Sequence, residues 1–93
     1  MRSLWKMIDQ TPNEKQIAER EAEAQRELLR YCEQHPASPT AVRRPRVLLR
    51  GRSWIALLGY TLQDGVAGIG GTVGAALRAF DVQYLASIKS PRR

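Results

Sequence analysis

The sequence predicts an α+β protein with the order helix, linker, three-stranded antiparallel meander and a C-terminal helix packed on one face (α-β-β-β-α). Three observations carry that expectation. From Asn13 to Gln34 the chain is rich in Ala, Glu, Gln, Arg and Leu and holds neither Gly nor Pro, a composition that favours helix. From Arg46 apolar residues alternate with charged ones, the period-two signature of a strand with one wet face. After Thr72 the apolar spacing changes to threes and fours and holds to Lys89, the period of an amphipathic helix.

Residues 1–10 read as a short leader, with Leu4, Trp5 and Ile8 on one side if helical. Its apolar run is too short for a secretory signal, and no cleavage site follows. Thr11-Pro12-Asn13-Glu14 has the form of a capping box, with Thr11 as N-cap, Pro12 at the first helical position and Glu14 reaching back. The helix expected over residues 11–34 has a narrow stripe, Ile17, Ala24, Leu28 and Tyr31, with Ala18 and Leu29 beside it. The series Glu19, Glu21, Glu23 and Glu27 reads as a solvated face. So charged a helix either lies lightly on its own sheet or pairs with a second copy, which makes a homodimer one expectation.

Cys32 reads as a half-buried helix residue. One cysteine forms no internal disulfide, and His35, the one histidine, has no second ligand near it, so neither a metal nor a cofactor is expected. The cysteine usage points to a reducing, cytoplasmic setting. Residues 35–45 carry Pro36, Pro39 and Pro45 and are expected to be a helix-free, semi-rigid linker between an acidic helix and a basic unit.

The β-β-β-α unit is expected over residues 46–90. Arg44, Arg46, Leu48, Arg50 and Arg52 share one parity, Val47 and Leu49 the other, and Arg50-Gly51-Arg52-Ser53 supplies a turn in which Gly51 takes positive φ. Trp54 to Tyr60 reads as the second strand, Thr61 to Asp64 as a loop, and Val66 to Ile69 as the third strand. Thr72 is the expected N-cap of a helix from Val73 to about Lys89, with Val73, Leu77, Phe80, Tyr84 and Ile88 aimed at the sheet and Ala76 and Val82 flanking. Arg78, Asp81 and Gln83 fall outside that stripe. Pro91 lies just past the end, and residues 91–93 form a basic tail.

Charge divides the chain. Of 15 Lys and Arg against 9 Asp and Glu, residues 1–40 hold six against seven, net −1, and residues 41–93 hold nine against two, net +7. The basic half is therefore the candidate binding half, for phosphate or for an acidic protein surface. Arg43, Arg44, Arg46, Arg50 and Arg52, with Arg92 and Arg93 behind them, could track an RNA or DNA backbone, and Trp54 or Tyr60 could stack on a base or meet a partner. No Ser/His/Asp set, paired carboxylates, phosphate loop or metal cluster is present, so no catalytic residue is assigned and a non-enzyme is expected. The uncharged runs Trp54–Leu62 and Gly65–Leu77 fall well short of the ~20 residues that a membrane span needs.

Three strands, the second opening on Trp54, followed by a Thr-capped helix, with the spacing Gly65-x4-Gly70-x-Thr72-x3-Ala76-Leu77, give an arrangement that resembles the HicB-like antitoxin fold over Val47 to about Ala86. The resemblance implies a small protein-binding module that sequesters or inhibits a partner, a toxin or a defence complex, of the kind carried by phages and other mobile elements. An antitoxin or an anti-defence protein such as an anti-CRISPR would fit. The element order is also similar to that of the double-stranded-RNA-binding domain, which implies the alternative, nucleic-acid binding.

Overall fold

The structure is a computed structural model and describes residues 13–89. Among these residues three helices and one sheet follow in the order α1 (Glu14–Gln34), α2 (Pro39–Arg43), β1 (Arg46–Arg50), β2 (Ser53–Leu58), β3 (Val66–Gly70) and α3 (Val73–Lys89). The α+β architecture and the α-β-β-β-α order are those the sequence predicts, with one helix added.

α1 begins later than the Thr11 box implies. Its N-cap is Asn13, whose Oδ1 accepts the Gln16 N–H at 2.8 Å while Gln16 Oε1 accepts the Asn13 N–H at 3.1 Å. Asn and Gln make the same reciprocal pair as Ser or Thr with Glu, displaced by two residues. Thr11 itself lies outside the described residues.

The added helix is α2, which corrects the expectation of a helix-free linker. Pro39 stands in the first turn, where a missing N–H costs nothing, and Ser38 caps it by accepting the Ala41 N–H at 3.1 Å. The helix ends at Arg44, a left-handed residue at φ 52° whose N–H bonds to Thr40 O. Pro45 then blocks further helix. The segment joins the two halves of the chain; it does not hold them apart.

The sheet is a meander, β1-β2-β3, antiparallel throughout. Arg50 faces Ser53 across the two-residue loop Gly51-Arg52, and Gly51 has φ 63° at the loop position where a tight hairpin requires it. The inner face carries Val47, Leu49, Trp54 and Ala56. Onto it pack Val73, Ala76, Leu77 and Phe80 of α3 and Ala24, Leu28 and Cys32 of α1, in one core. Phe80, Leu49 and Leu77 are fully buried, each contributing about 1.5–3 kcal/mol by removal from water. The charged N-terminal helix thus docks on its own sheet, and Cys32 is buried, with 6% exposure, not half-buried.

Gly68 fixes the height of α3 above the sheet. A Cβ there would stand 2.1 Å from Phe80 N and 2.4 Å from Ala76 O, so the helix backbone rests directly on the strand. Thr72 caps the helix as predicted, its Oγ1 accepting the Ala75 N–H at 3.1 Å. The apolar stripe serves the core only as far as Phe80 and, partly, Tyr84; Val82 and Ile88 are exposed. Val82 lies about 200° round the helix from Phe80 and faces away from the sheet; for Ile88 the reason is length. Seventeen helical residues extend about 25 Å, whereas a five-residue strand runs about 17 Å, so the last turns of α3 project beyond the sheet.

Candidate interaction surface

The projecting end of α3 lies at the end of the sheet where β1 begins. α2 precedes β1 there, and the loop of residues 59–65 joins β2 to β3 there. Asp81 holds these pieces together. Its Oδ1 accepts both the N–H and the hydroxyl of Thr40, at 2.8 and 2.7 Å, and its Oδ2 accepts the Tyr31 hydroxyl at 2.7 Å. One carboxylate of α3 therefore ties down α1 and α2, and Thr40 is wholly buried beside it.

Burial of the Tyr31 phenol, together with its hydrogen bond to Asp81 and that group's negative charge, pushes its pKa up to about 12. Sequence reasoning set Asp81 aside as a polar residue off the stripe. No spacing rule links residues 31, 40 and 81, and only the packing brings them together.

With α2 pinned, Arg43 reaches α3: its Nε donates to Tyr84 Oη at 2.8 Å and its guanidinium lies 5.6 Å from the Tyr84 ring centre. The same end presents exposed apolar side chains from three elements. They are Val42 of α2, Tyr60 and Leu62 of the loop, and Val82, Leu85 and Ile88 of α3. Arg43, Arg44 and Arg46, in α2, at its cap and at the start of β1, are exposed at this end too.

The arginines do not make one continuous face. Arg46 and Arg50 share the outer side of β1 with Leu48, but Arg44 is the left-handed cap of α2 and Arg52 sits in the hairpin loop. Several also bond locally: Arg44 Nε to Ala41 O at 3.2 Å, Arg46 to Gly59 O at 3.2 Å, and Arg50 to Leu49 O at 2.9 Å and to Glu21 at 3.4 Å. Trp54 is a core residue at 7% exposure, with Arg20 5.9 Å from its ring centre, and Tyr60 is 95% exposed. Arg92 and Arg93 lie outside the described residues.

No family model, curated protein or solved structure matches this chain.

Glu21 departs from the solvated acidic face expected of it, because it accepts the Leu49 N–H at 2.7 Å and so closes part of the free edge of β1. Beside it an open groove of about 600 Å³ runs between α1 and that edge, lined by Ala18, Ala22, Leu29 and Val47. Among the described residues no group of His, Cys, Asp and Glu is placed to hold a metal ion. No helix among them is long and apolar enough to cross a membrane.

Proposed function

We propose that this chain is a small, non-enzymatic protein-binding module, a cytoplasmic inhibitor of the antitoxin-like or anti-defence kind, such as an anti-CRISPR of a phage or mobile element. The single observation behind this reading is the number of exposed apolar side chains that α2, the loop of residues 59–65 and the last turns of α3 carry at one end of the fold, Val42, Tyr60, Leu62, Val82, Leu85 and Ile88, with Arg43, Arg44 and Arg46 exposed at the same end. Apolar centres with a charged rim are the anatomy of a protein interface, and a large exposed apolar patch marks a contact site. The rim is basic, so the partner presents an acidic surface, a toxin or a component of a defence complex in this reading. The HicB-like order of elements is consistent with it. Asp81, Tyr31 and Thr40 are hydrogen-bonded to one another.

The test is affinity capture from the native host with wild type and with Leu85→Glu/Ile88→Glu, followed by direct titration of the captured protein. Binding should fall by more than tenfold in the double variant, as expected for two truncated anchors, while far-UV circular dichroism stays unchanged. The alternative is nucleic-acid binding along β1, favoured by the shared outer face of Arg46 and Arg50. It requires binding to RNA or DNA with a salt slope of about −3 to −5 and its loss in Arg46→Glu/Arg50→Glu. That result would replace the protein-partner reading.

A further inference from the structure

The two edges of the sheet are treated differently. Arg50 and Ser53 close a two-residue hairpin, so hydrogen-bonded pairs recur at Leu48 with Ile55 and at Arg46 with Leu57. On β1 the backbone groups of Val47 and Leu49 therefore point away from the sheet. There α1 lies alongside, Glu21 accepts the Leu49 N–H and an Arg50 guanidinium donates to Leu49 O. This edge is guarded by charge and by a helix.

On β2 the alternate residues Trp54, Ala56 and Leu58 bond to β3, opposite Gly70, Gly68 and Val66. Ala67 and Ile69 thus direct their N–H and C=O outward. Among the described residues nothing bonds to them. β3 is Val-Ala-Gly-Ile-Gly, without a charge or a proline, and Ile69 is 57% exposed on the outer face. That face continues the apolar row Leu48, Ile55, Leu57 and Ala67, in which Ile55 and Leu57 are buried and Leu48 and Ala67 half-buried.

We propose that the open edge of β3 is a strand-addition site for an extended segment of a partner protein. A second copy of this chain is a poor occupant. In two-fold antiparallel pairing the two β3 strands would lie 4.7–4.9 Å apart with both α3 helices on the same side, each resting directly on its own strand at Gly68. Helix axes need 8–10 Å. An extended segment with no helix on that side meets no such clash.

The sheet geometry also states its chemistry. The two residues opposite Ala67 and Ile69 point to the outer face and are apolar and β-branched, extending the row that Ile69 begins. The residue between them points to the helix side, beside α3, and is small. The main-chain bonds supply affinity and the alternate side chains supply selectivity. This inference is independent of the partner taken by the basic end of the molecule.

The test uses the full chain labelled with ¹⁵N and a blocked peptide, acetyl-Lys-Val-Ser-Val-Thr-amide, N-methylated at Ser so that only one of its edges can pair. Saturable shifts at the Ala67, Gly68 and Ile69 amides are expected, with hydrogen exchange at Ala67 and Ile69 slowed by about tenfold or more. The same peptide N-methylated at both Val residues should have no effect. Ala67→Pro removes an outward N–H that β2 does not use, a position where an edge strand tolerates proline; it should keep the melting temperature and lose the peptide. Ile69→Lys, which leaves the backbone intact, should weaken binding in parallel.

Shifts centred on Val47, or none up to millimolar peptide, would overturn the proposal. So would Ala67 and Ile69 amides already protected in the free, dilute protein, which would mean the edge is filled by this chain itself. Concentration-dependent dimerisation abolished by Ala67→Pro would assign the edge to a second copy instead.

Discussion

Replacing Thr40 by Val tests whether Asp81 is the lock that places α2 against α3. The change preserves shape and removes one donor. Thr40 is wholly buried, and its hydroxyl donates to Asp81 Oδ1 at 2.7 Å while the backbone N–H and the Tyr31 hydroxyl continue to serve the same carboxylate. A hydrogen bond to a charged acceptor contributes about 1.5–3 kcal/mol net. Burial of the new methyl offsets little, because it faces a carboxylate in place of an apolar neighbour. A loss of about 2 kcal/mol is expected, a large share of the 5–15 kcal/mol that holds a small domain folded.

In urea unfolding this lowers the midpoint by roughly 1–2 M at unchanged slope, for a slope of about 1–2 kcal/mol per M. A cycle with Asp81→Asn should give a coupling above about 0.5 kcal/mol, since the two side chains touch. A midpoint within about 0.2 M of wild type, or strict additivity in the cycle, would show that Asp81 is hydrated and does not organise this end of the fold.

The raised pKa of Tyr31 gives a pH dependence of known sign. Unfolded tyrosine ionises near 10.0 and the folded one near 12, so the stabilisation is whole below pH 10 and is lost as pH rises from about 10 toward 12; melting curves of Tyr31→Phe should be flatter than wild type across that window. Gly68→Ala drives a methyl into helix backbone and should cost 3 kcal/mol or about that, the upper end for overpacking. Gly71→Ala meets nothing within 4 Å and should be neutral or stabilising by up to about 1 kcal/mol, and thermal unfolding of the two variants checks both. Asn13→Ala should lower stability by about 1 kcal/mol through loss of the cap, read as a fall in the urea midpoint with reduced helicity.

Where local chemistry suffices, the sequence is a sound guide. The period-two run at Arg46, the Gly51 turn, the Thr72 cap and the span from Val73 to Lys89 all depend on neighbours within four residues, and each is found where the pattern puts it. Local rules misled in two places. Thr11-Pro12-Asn13-Glu14 satisfies one capping pattern and Asn13 with Gln16 another, and the second is the one formed. Three prolines suggested extended chain, although a proline in the first turn, a serine cap and a left-handed exit make a short helix.

The candidate surface was less legible. The sequence lists the basic residues but not which of them share an end, and the exposed stretch of α3 carries the same periodicity as the buried one. What separates Phe80 from Ile88 is the finite length of the strands beneath them, a property of the sheet and not of the helix.

By itself, then, the sequence determines the elements, their order, the turn that sets the register and the unequal distribution of charge, because propensity, capping and alternation act over a few residues. Tertiary structure alone decides three things. α1 joins the core, Asp81 meets Tyr31 and Thr40 across 50 and 41 positions of chain, and Glu21 meets the edge of β1 while nothing among the described residues bonds to the edge of β3. These depend on which surfaces come together when the two helices settle on the sheet, where distance along the chain no longer indicates distance in space.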